Sequence, residues 1–300
     1  MRRRSQHAVP CFYLRRFTSE DGQRVLWRYA KDDDAPRPIS PRRAEAELGF
    51  YSVPRPDGPP DDSFEDSLGR VERRAAEPLR QLAEGLPLCD EDRYAVSYFI
   101  ALMFLRVRGY AAHAAEQARA AESPEFTLAF LEKSCAARFF SREVIERYRE
   151  EVRHRGRGLE LPSNYQLAAI PGRAVGYASL LNRMRWTVCH ARADFFVTSD
   201  NPAYARRPQS LEDPGLLGMA RKDFGVELGF PLARRAYLIG HWGPLREGRC
   251  RVTADRVREL NRRTVVCASR YVYSAERSDT IAALVARHKT FQLSYPRLQP

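Results

Sequence analysis

Apolar residues recur at helical spacing through the middle of the chain. Over residues 64–82 they repeat every three or four positions, which places them on one helix face: Phe64, Leu68, Val71, Ala75, Leu79 and Leu82. Gly85 and Pro87 end this helix. A second helix is predicted over 90–108, and because it is apolar on nearly all sides we expect it to be buried. Shorter helices are predicted at 110–122, 124–138 and 141–154, ending in a polar break at 153–158.

Both ends of the chain show the alternation of polar and apolar residues that is typical of strands. One such segment lies near the N-terminus and the others in the last third of the chain: 24–29, 185–190, 195–198, 226–232, 236–242 and 264–273. Helical spacing returns between them at 253–262 and 278–288. Residues 31–62 are rich in proline around an island at 45–51, so they are predicted to form an extended loop.

These elements predict an α+β fold. A central helical block, residues 61–155, is expected to pack on a mostly antiparallel sheet formed by N-terminal and C-terminal segments. The strand-rich part spans 183–275. Because strands from both ends are expected to join one sheet, residues 1–300 are predicted to form a single intertwined domain.

The charge balance is basic, with a formal net charge of +12 from 50 Lys+Arg against 38 Asp+Glu. All but four of these cations are arginines. Guanidinium groups grip phosphate bidentately, so one interpretation is an anionic partner such as nucleic acid or another phosphate-bearing ligand. The other is the codon bias of a GC-rich genome. The even spread of the arginines favours codon bias, because a binding footprint is usually clustered.

The six cysteines are not arranged in CxxC pairs, and they are expected to be buried thiols in a reducing compartment. The basic N-terminus is not followed by the apolar segment of a signal peptide. The most apolar stretch, 94–105, is shorter than the roughly 20 residues that span a bilayer. A cytoplasmic protein without a membrane partner is therefore predicted.

Two polar motifs lie beside prolines and apolar runs. The first is Gln6-His7-Ala8-Val9-Pro10, followed by Tyr13-Leu14 and Phe17, and the second is Thr198-Ser199-Asp200-Asn201-Pro202. Further motifs occur in order along the chain: Phe50-Tyr51-Ser52, Glu65 and Glu72, Phe99-Ile100-Ala101 with Arg106, Trp186, Phe230-Pro231-Leu232, Leu260-Asn261 and Arg270-Tyr271-Val272.

Taken together, these motifs resemble a bacterial family known as domain of unknown function 4238, over nearly the whole chain. Two positions depart from the family pattern. Ala8 stands where members usually have a bulky residue, and Arg106-Val107-Arg108 stands where they often have Arg-Thr-Pro. The resemblance implies a fold and a set of positions, but it brings no reaction and no agreed catalytic residues. Site assignments therefore rest on chemistry.

The main candidate site combines His7 and Asp200 with Glu65 or Glu72 as catalytic groups. A histidine and carboxylates from separate segments would suit a divalent cation, Mg²⁺ or Mn²⁺, with His7, Asp200 and Glu72 as its ligands. Glu65 and Glu72 lie two helical turns apart, so only one of them is expected to contact the metal. In the alternative interpretation, His7 fixes the N-terminal loop and Asp200-Asn201-Pro202 forms a turn.

Phosphate or another substrate group would be bound by Arg106, Asn201 and Arg270. The alternative role of the two arginines is pairing with Glu65, Glu72 or Asp200 in a buried ion network.

Two further patterns carry weaker hypotheses. Asp200 followed by Glu227 is similar to part of a nuclease core, although the expected lysine is missing after Glu227. Arg108 and His113 have the spacing of the Arg-x(4–6)-His motif of HEPN ribonucleases, in which histidine acts in acid–base catalysis. A surface histidine among alanines is, however, more often part of a solvated helix face.

The leading hypothesis is a metal-assisted phosphodiester hydrolase or nuclease, with bacterial defence as a possible setting. The competing hypothesis is a non-catalytic binding or sensor protein in which the same polar residues are structural. A tailoring enzyme of small-molecule metabolism is a third possibility.

Overall fold

The computed structural model describes residues 5–19, 24–48, 63–107, 110, 123–124, 142–155, 165–206, 226–243 and 247–289. Its helices are α1 Cys11–Leu14, α2 Ser63–Ala83, α3 Asp90–Leu105, α4 Arg142–Arg155, α5 Tyr165–Arg183, α6 Ala254–Cys267 and α7 Asp279–Arg287. Its strands are β1 Ser5–His7, β2 Leu26–Ala30, β3 Asp33–Ile39, β4 Ala46–Leu48, β5 Arg185–Ala191, β6 Thr198–Ser199, β7 Tyr204–Arg206, β8 Glu227–Ala233, β9 Ala236–His241, β10 Gly248–Val252 and β11 Tyr271–Ser274.

The strands form sheets of different origin. A four-stranded sheet in the order β3-β2-β11-β6 joins the two ends of the chain, and a five-stranded sheet in the order β10-β5-β9-β8-β7 comes from the last third. Strands β1 and β4 form a separate antiparallel pair. Among the described strands, only β10 and β5 pair in parallel. The predicted α+β class is confirmed, but the strands divide between sheets instead of joining one.

Helix α3 lies in the main core between α2 and α5. Its Phe99 and the N-terminal Tyr13 are fully buried, and both rings pack against Phe230 of β8. The opening segment is therefore threaded into the core, with Val9 and Leu14 also fully buried. Within the described part of the chain, no helix is both long and apolar enough to cross a membrane.

Helix ends follow the local sequence. The Thr253 side chain accepts a hydrogen bond from the Arg256 backbone N–H at the start of α6, and Ser278 does the same for Ile281 at the start of α7. Acidic residues lie in the first turn of α2, where they complement the helix dipole. These caps fix where α6 and α7 begin.

The predicted strand at 264–273 is wrong over its first part. Helix α6 continues to Cys267, and only Tyr271–Ser274 is a strand. The reason is burial: Val265 and Val266 pack into two different apolar clusters on either side of the helix. A helix buried on two sides shows no polar stripe, so its β-branched residues resemble a strand.

Other differences lie in the predicted loop and in unassigned segments. The 31–62 loop contains β3 and β4, and α5 and β10 were not predicted. The predicted strands at 185–190 and 195–198 correspond to β5 and the shorter β6, which belong to different sheets. Helix α4 confirms the prediction at 141–154. The helices predicted at 110–122 and 124–138 fall almost wholly outside the described residues.

Cysteine burial is only partly as expected. Cys189 and Cys267 are buried, whereas Cys89 and Cys250 are exposed. The two exposed cysteines lie just before α3 and on the outer strand β10, next to charged residues such as Asp90, Arg249 and Arg251.

Candidate functional site

The second motif, residues 198–202, binds the backbone of the connection between α6 and β11. Asp200 is buried, with 5% of its surface exposed, and its carboxylate accepts three backbone N–H groups. Its Oδ1 lies 2.8 Å from the Ser269 nitrogen, and its Oδ2 lies 2.6 Å from that of Arg270 and 3.0 Å from that of Tyr271. Burial raises the pKa of the Asp200 carboxyl, against the opposing pull of these N–H groups and of Lys31.

The carbonyl groups at the end of α6 accept hydrogen bonds from Lys31 and Asn201. Lys31 is also buried, and its ammonium group donates to the Ala268 carbonyl at 2.6 Å. Asn201 donates its side-chain amide to the Cys267 carbonyl at 3.0 Å. A cation and an amide thus satisfy carbonyls that the helix end leaves without intrahelical partners. The motif and Lys31 together clamp the turn that leads into β11.

Arg106 joins the first motif to helix α2. Its guanidinium is almost fully buried and lies at the C-terminal end of α3. One terminal nitrogen donates to Glu72 at 2.7 Å, and the other donates to the backbone carbonyl of His7 at 2.6 Å. The structure therefore brings His7, Glu72 and Arg106 together, but through the main chain of His7 and not through its ring.

The His7 imidazole is partly exposed and lies 3.1 Å from the Arg42 carbonyl through Nε2. Because a carbonyl only accepts hydrogen bonds, Nε2 carries the proton in the neutral ring and Nδ1 carries the lone pair. Glu65, in the first turn of α2, is partly buried.

The remaining predicted residues lie elsewhere. Arg270 is exposed and its guanidinium pairs with Asp32 at 2.9 Å, while its backbone N–H donates to the Asp200 carboxylate. Glu227 forms an ion pair with Arg263 at 2.6 Å. Arg108 and His113, which carried the HEPN-like hypothesis, lie outside the described residues.

Three buried hydrogen bonds, made by Tyr273 and Tyr13, were not predicted from the sequence. Tyr273 donates a hydrogen bond to the carboxylate of Glu45, whose backbone has a positive φ of 56°. Tyr13 donates to the Pro231 carbonyl at 2.8 Å and contacts the Thr198 hydroxyl at the same distance. An isolated glutamate in a proline-rich segment gives no sequence signal of this kind, because its partner is more than two hundred residues away.

The predicted metal site has no gathered ligand set. Within the residues described, no group of three or more His, Cys, Asp and Glu is placed to hold a metal ion. Its predicted ligands His7, Glu72 and Asp200 all belong to this part of the chain, and each makes the separate contacts given above. The metal therefore stays a prediction.

The groove between helices α2 and α3 is lined by aromatic and charged side chains that suit a ligand. This open groove has a volume of about 770 Å³, and it is lined by Arg70, Val71, Arg74, Asp90, Glu91, Tyr94, Ala95 and Tyr98. The two tyrosine rings are stacked, with centroids 6.5 Å apart and planes inclined by 25°. Their spacing of four residues places both on one face of α3.

The charged groups of this groove are partly paired. Arg74 forms an ion pair with Asp92 at 2.7 Å, but 53% of its side-chain surface is still exposed. Arg70 donates to the Ser67 hydroxyl at 2.9 Å. Since a guanidinium group has five N–H donors, both arginines keep donors for a ligand. Tyr94 is 39% exposed, so part of its ring is open to a ligand.

Comparison with known proteins places the chain in one family. Residues 5–278 match the model of a family described as a protein of unknown function, DUF4238. Neither the curated proteins nor the solved structures give a match.

Proposed function

Because the chain belongs to the DUF4238 family, whose function is unknown, the activity has to be inferred from geometry, and we propose that the protein binds a nucleotide without transforming it. The observation that carries this proposal is the groove between α2 and α3, where stacked tyrosines and arginines line the same space. Its volume falls in the range of ordinary ligand sites, about 300–1,000 Å³.

The lining offers a complementary group for each part of a nucleotide. The exposed ring of Tyr94 provides a face on which a base stacks. Arg70 and Arg74 provide guanidinium forks for phosphate. The carboxylates of Asp90 and Glu91 accept hydrogen bonds from sugar hydroxyls or from base amino groups. The ligand would be a free nucleotide or one unit of a single-stranded nucleic acid.

The candidate catalytic groups favour binding over chemistry. Asp200 and Asn201 are occupied by backbone groups around the end of α6, and Arg106 is occupied by Glu72 and a backbone carbonyl. Such contacts are those of residues that hold a fold together. They support the alternative in which the polar motifs are structural and the protein acts by binding.

Titration calorimetry with ATP, adenosine, inorganic triphosphate and a short single-stranded DNA tests this proposal. We expect binding of ATP to exceed that of adenosine or triphosphate alone, because both ends of the ligand contribute. Tyr94→Ala should weaken binding by about 5- to 150-fold, the equivalent of about 1–3 kcal/mol for one stacked base. Arg70→Gln should weaken binding and reduce its dependence on salt.

The matched control is Arg258→Gln. Arg258 is an exposed helical arginine that donates to the side chain three residues earlier, Asp255, as Arg70 donates to Ser67. Arg258→Gln lowers the net charge by the same one unit as Arg70→Gln, but Arg258 does not line the groove. If Arg258→Gln weakens binding as much as Arg70→Gln, the interaction is only diffuse electrostatics. Tighter binding of DNA than of ATP would identify nucleic acid as the source of the nucleotide, and no binding of any probe would reject the proposal.

Metal-assisted phosphodiester hydrolysis is the second candidate. It is favoured by the partly exposed His7 ring, which keeps Nδ1 as a lone-pair base. The test is elemental analysis after incubation with Mn²⁺ or Mg²⁺, on the wild type and on the His7→Ala and Asp200→Ala variants. Bound metal that is lost in both variants, with folding intact, would support this candidate. A metal-free wild type would remove it, together with the metal-dependent form of a tailoring enzyme.

A further inference from the structure

Two cysteines face each other across the parallel strands β5 and β10. Cys250 is the register partner of Cys189, and the two sulfur atoms lie 3.8 Å apart. Direct cross-strand partners point to the same face of a sheet. The two thiols are therefore already in van der Waals contact in the folded protein.

We propose that Cys189 and Cys250 are an oxidation site, at which a hydroperoxide converts the two thiols into a disulfide. Neighbouring strands lie about 4.8 Å apart, which is within the Cα separation of about 4.4–6.8 Å that a disulfide spans. A disulfide bond is about 2.0 Å long, so the two sulfur atoms, now 3.8 Å apart, must approach by roughly 1.8 Å. Side-chain rotation provides this movement without displacing the strands.

The two thiols differ in access, and this sets the order of the reaction. Cys250 is exposed and meets the oxidant first, whereas Cys189 is buried with 2% of its surface accessible. The Cys250 thiolate attacks one peroxide oxygen, the O–O bond breaks, and a sulfenic acid forms with release of an alcohol or water. The Cys189 sulfur then attacks the sulfenic sulfur, loses its proton, and water leaves. Two thiols and one hydroperoxide thus give one disulfide, one alcohol or water, and one water.

The electrostatic surroundings affect the second step. Burial raises the pKa of the Cys189 thiol to about 12, and the neighbouring Cys250 acts in the same direction. Little of Cys189 is therefore present as thiolate at neutral pH, and formation of the disulfide from the sulfenic acid should speed up as pH rises. Arg256 lies near enough to favour the thiolate partly.

The bond would attach an outer strand to its sheet. Among the described strands β10 pairs only with β5, and its residues Gly248 to Arg251 are exposed. A strand held from one side opens more easily than an inner strand. Oxidation would convert this contact into a covalent one, so β10 should become harder to detach.

Peptide mapping by mass spectrometry tests the proposal on the full chain. The reduced protein is treated with one equivalent of hydrogen peroxide, alkylated in denaturant and digested with trypsin without reduction. Because trypsin cleaves after arginine, the expected product is the peptide 186–192 joined to the dipeptide 250–251. Amide exchange in 248–252 should slow in the oxidised form.

Three variants make the result specific. Cys189→Ser and Cys250→Ser should abolish the linked peptide, and in Cys189→Ser the sulfenic acid of Cys250 should accumulate and be trapped by dimedone. Cys89→Ser removes another exposed thiol and should leave the linked peptide unchanged. Equal dimedone labelling of Cys250 in the wild type and in Cys189→Ser, without a linked peptide, would overturn the proposal. So would a bond from Cys250 to any other cysteine.

Discussion

Asp200 is the residue whose replacement best separates a structural from a catalytic role. Its carboxylate accepts N–H groups from three consecutive residues and lies in the field of the buried Lys31. A hydrogen bond to a charged group contributes about 1.5–3 kcal/mol. We use the lower end because Arg270 is exposed and the other two donors are only partly buried, so water can replace part of what is lost.

On this basis Asp200→Ala should lower the free energy of unfolding by about 3–5 kcal/mol. The gain from no longer burying a carboxylate offsets part of the three lost bonds. Asp200→Asn keeps one accepting oxygen but places an amide N–H against a donor, so a loss of about 2–3 kcal/mol is expected. Because native domains are stable by about 5–15 kcal/mol, both variants should still fold at low temperature.

Urea unfolding followed by circular dichroism at pH 7 measures these values. Asp194→Ala is the matched control, since Asp194 is an exposed aspartate in the preceding loop. Its effect should stay within about 0.5 kcal/mol. If the free energy of unfolding of Asp200→Ala lies within about 1 kcal/mol of the wild-type value, the carboxylate does not hold the turn in place. In that case a functional role for Asp200 becomes the better explanation.

Other positions give independent tests. Gly229→Ala should cost about 1–3 kcal/mol in urea unfolding, because a Cβ there would collide with the buried ring of Tyr204. Arg106→Lys should cost about 1.5–3 kcal/mol in the same assay, because a lysine keeps the charge but loses the bond either to Glu72 or to the His7 carbonyl. Burial lowers the pKa of His241, so the unfolded chain binds more protons below about pH 6.5, and stability should fall with decreasing pH by up to about 1.4 kcal/mol per unit. His241→Gln should reduce this slope in unfolding experiments between pH 7 and pH 5.

Each of these predictions has a result that contradicts it. Equal stability of Gly229→Ala would mean that Tyr204 can move aside. A lysine that fully replaces Arg106 would mean that charge alone matters there. An unchanged pH slope in His241→Gln would assign the acid sensitivity to another group, such as His190, whose pKa burial also lowers.

The sequence predicted elements best where one face of an element is polar. Helix α2 has an apolar stripe opposite charged residues, and its predicted extent agrees with Ser63–Ala83. Helix α5 was missed because Pro171 and Gly172 interrupt its pattern, and an interior proline costs a helix about 3 kcal/mol. The helix forms across Pro171 with its Ala174 and Leu181 fully buried in the main core. The end of α6 was misread because burial on two sides removes the alternation on which prediction depends.

The sequence predicted which residues are polar at the ends of elements, but not which groups those residues contact. The motif at 198–202 begins on strand β6, as expected for an element end, but the side chains of Asp200 and Asn201 bind distant backbone groups at Arg270 and Cys267 and not a turn of their own. The sequence could not show that Arg106 reaches a backbone carbonyl, because main-chain partners leave no trace in residue identity. The groove between α2 and α3 was equally hidden, because it depends on how two helices cross.

The contacts of Tyr13 also have a consequence for the order in which the chain is made. Its hydroxyl pairs with groups 185 and 218 residues further along the sequence. At about 5–20 residues per second, a ribosome needs on the order of 10 to 40 seconds to deliver those partners. During this interval the apolar opening segment can pack on α3, where Phe99 lies against Tyr13, but the partners of the Tyr13 hydroxyl have not yet been made. A polypeptide truncated before β8 should therefore keep part of this segment unpaired and aggregate more readily than the full chain.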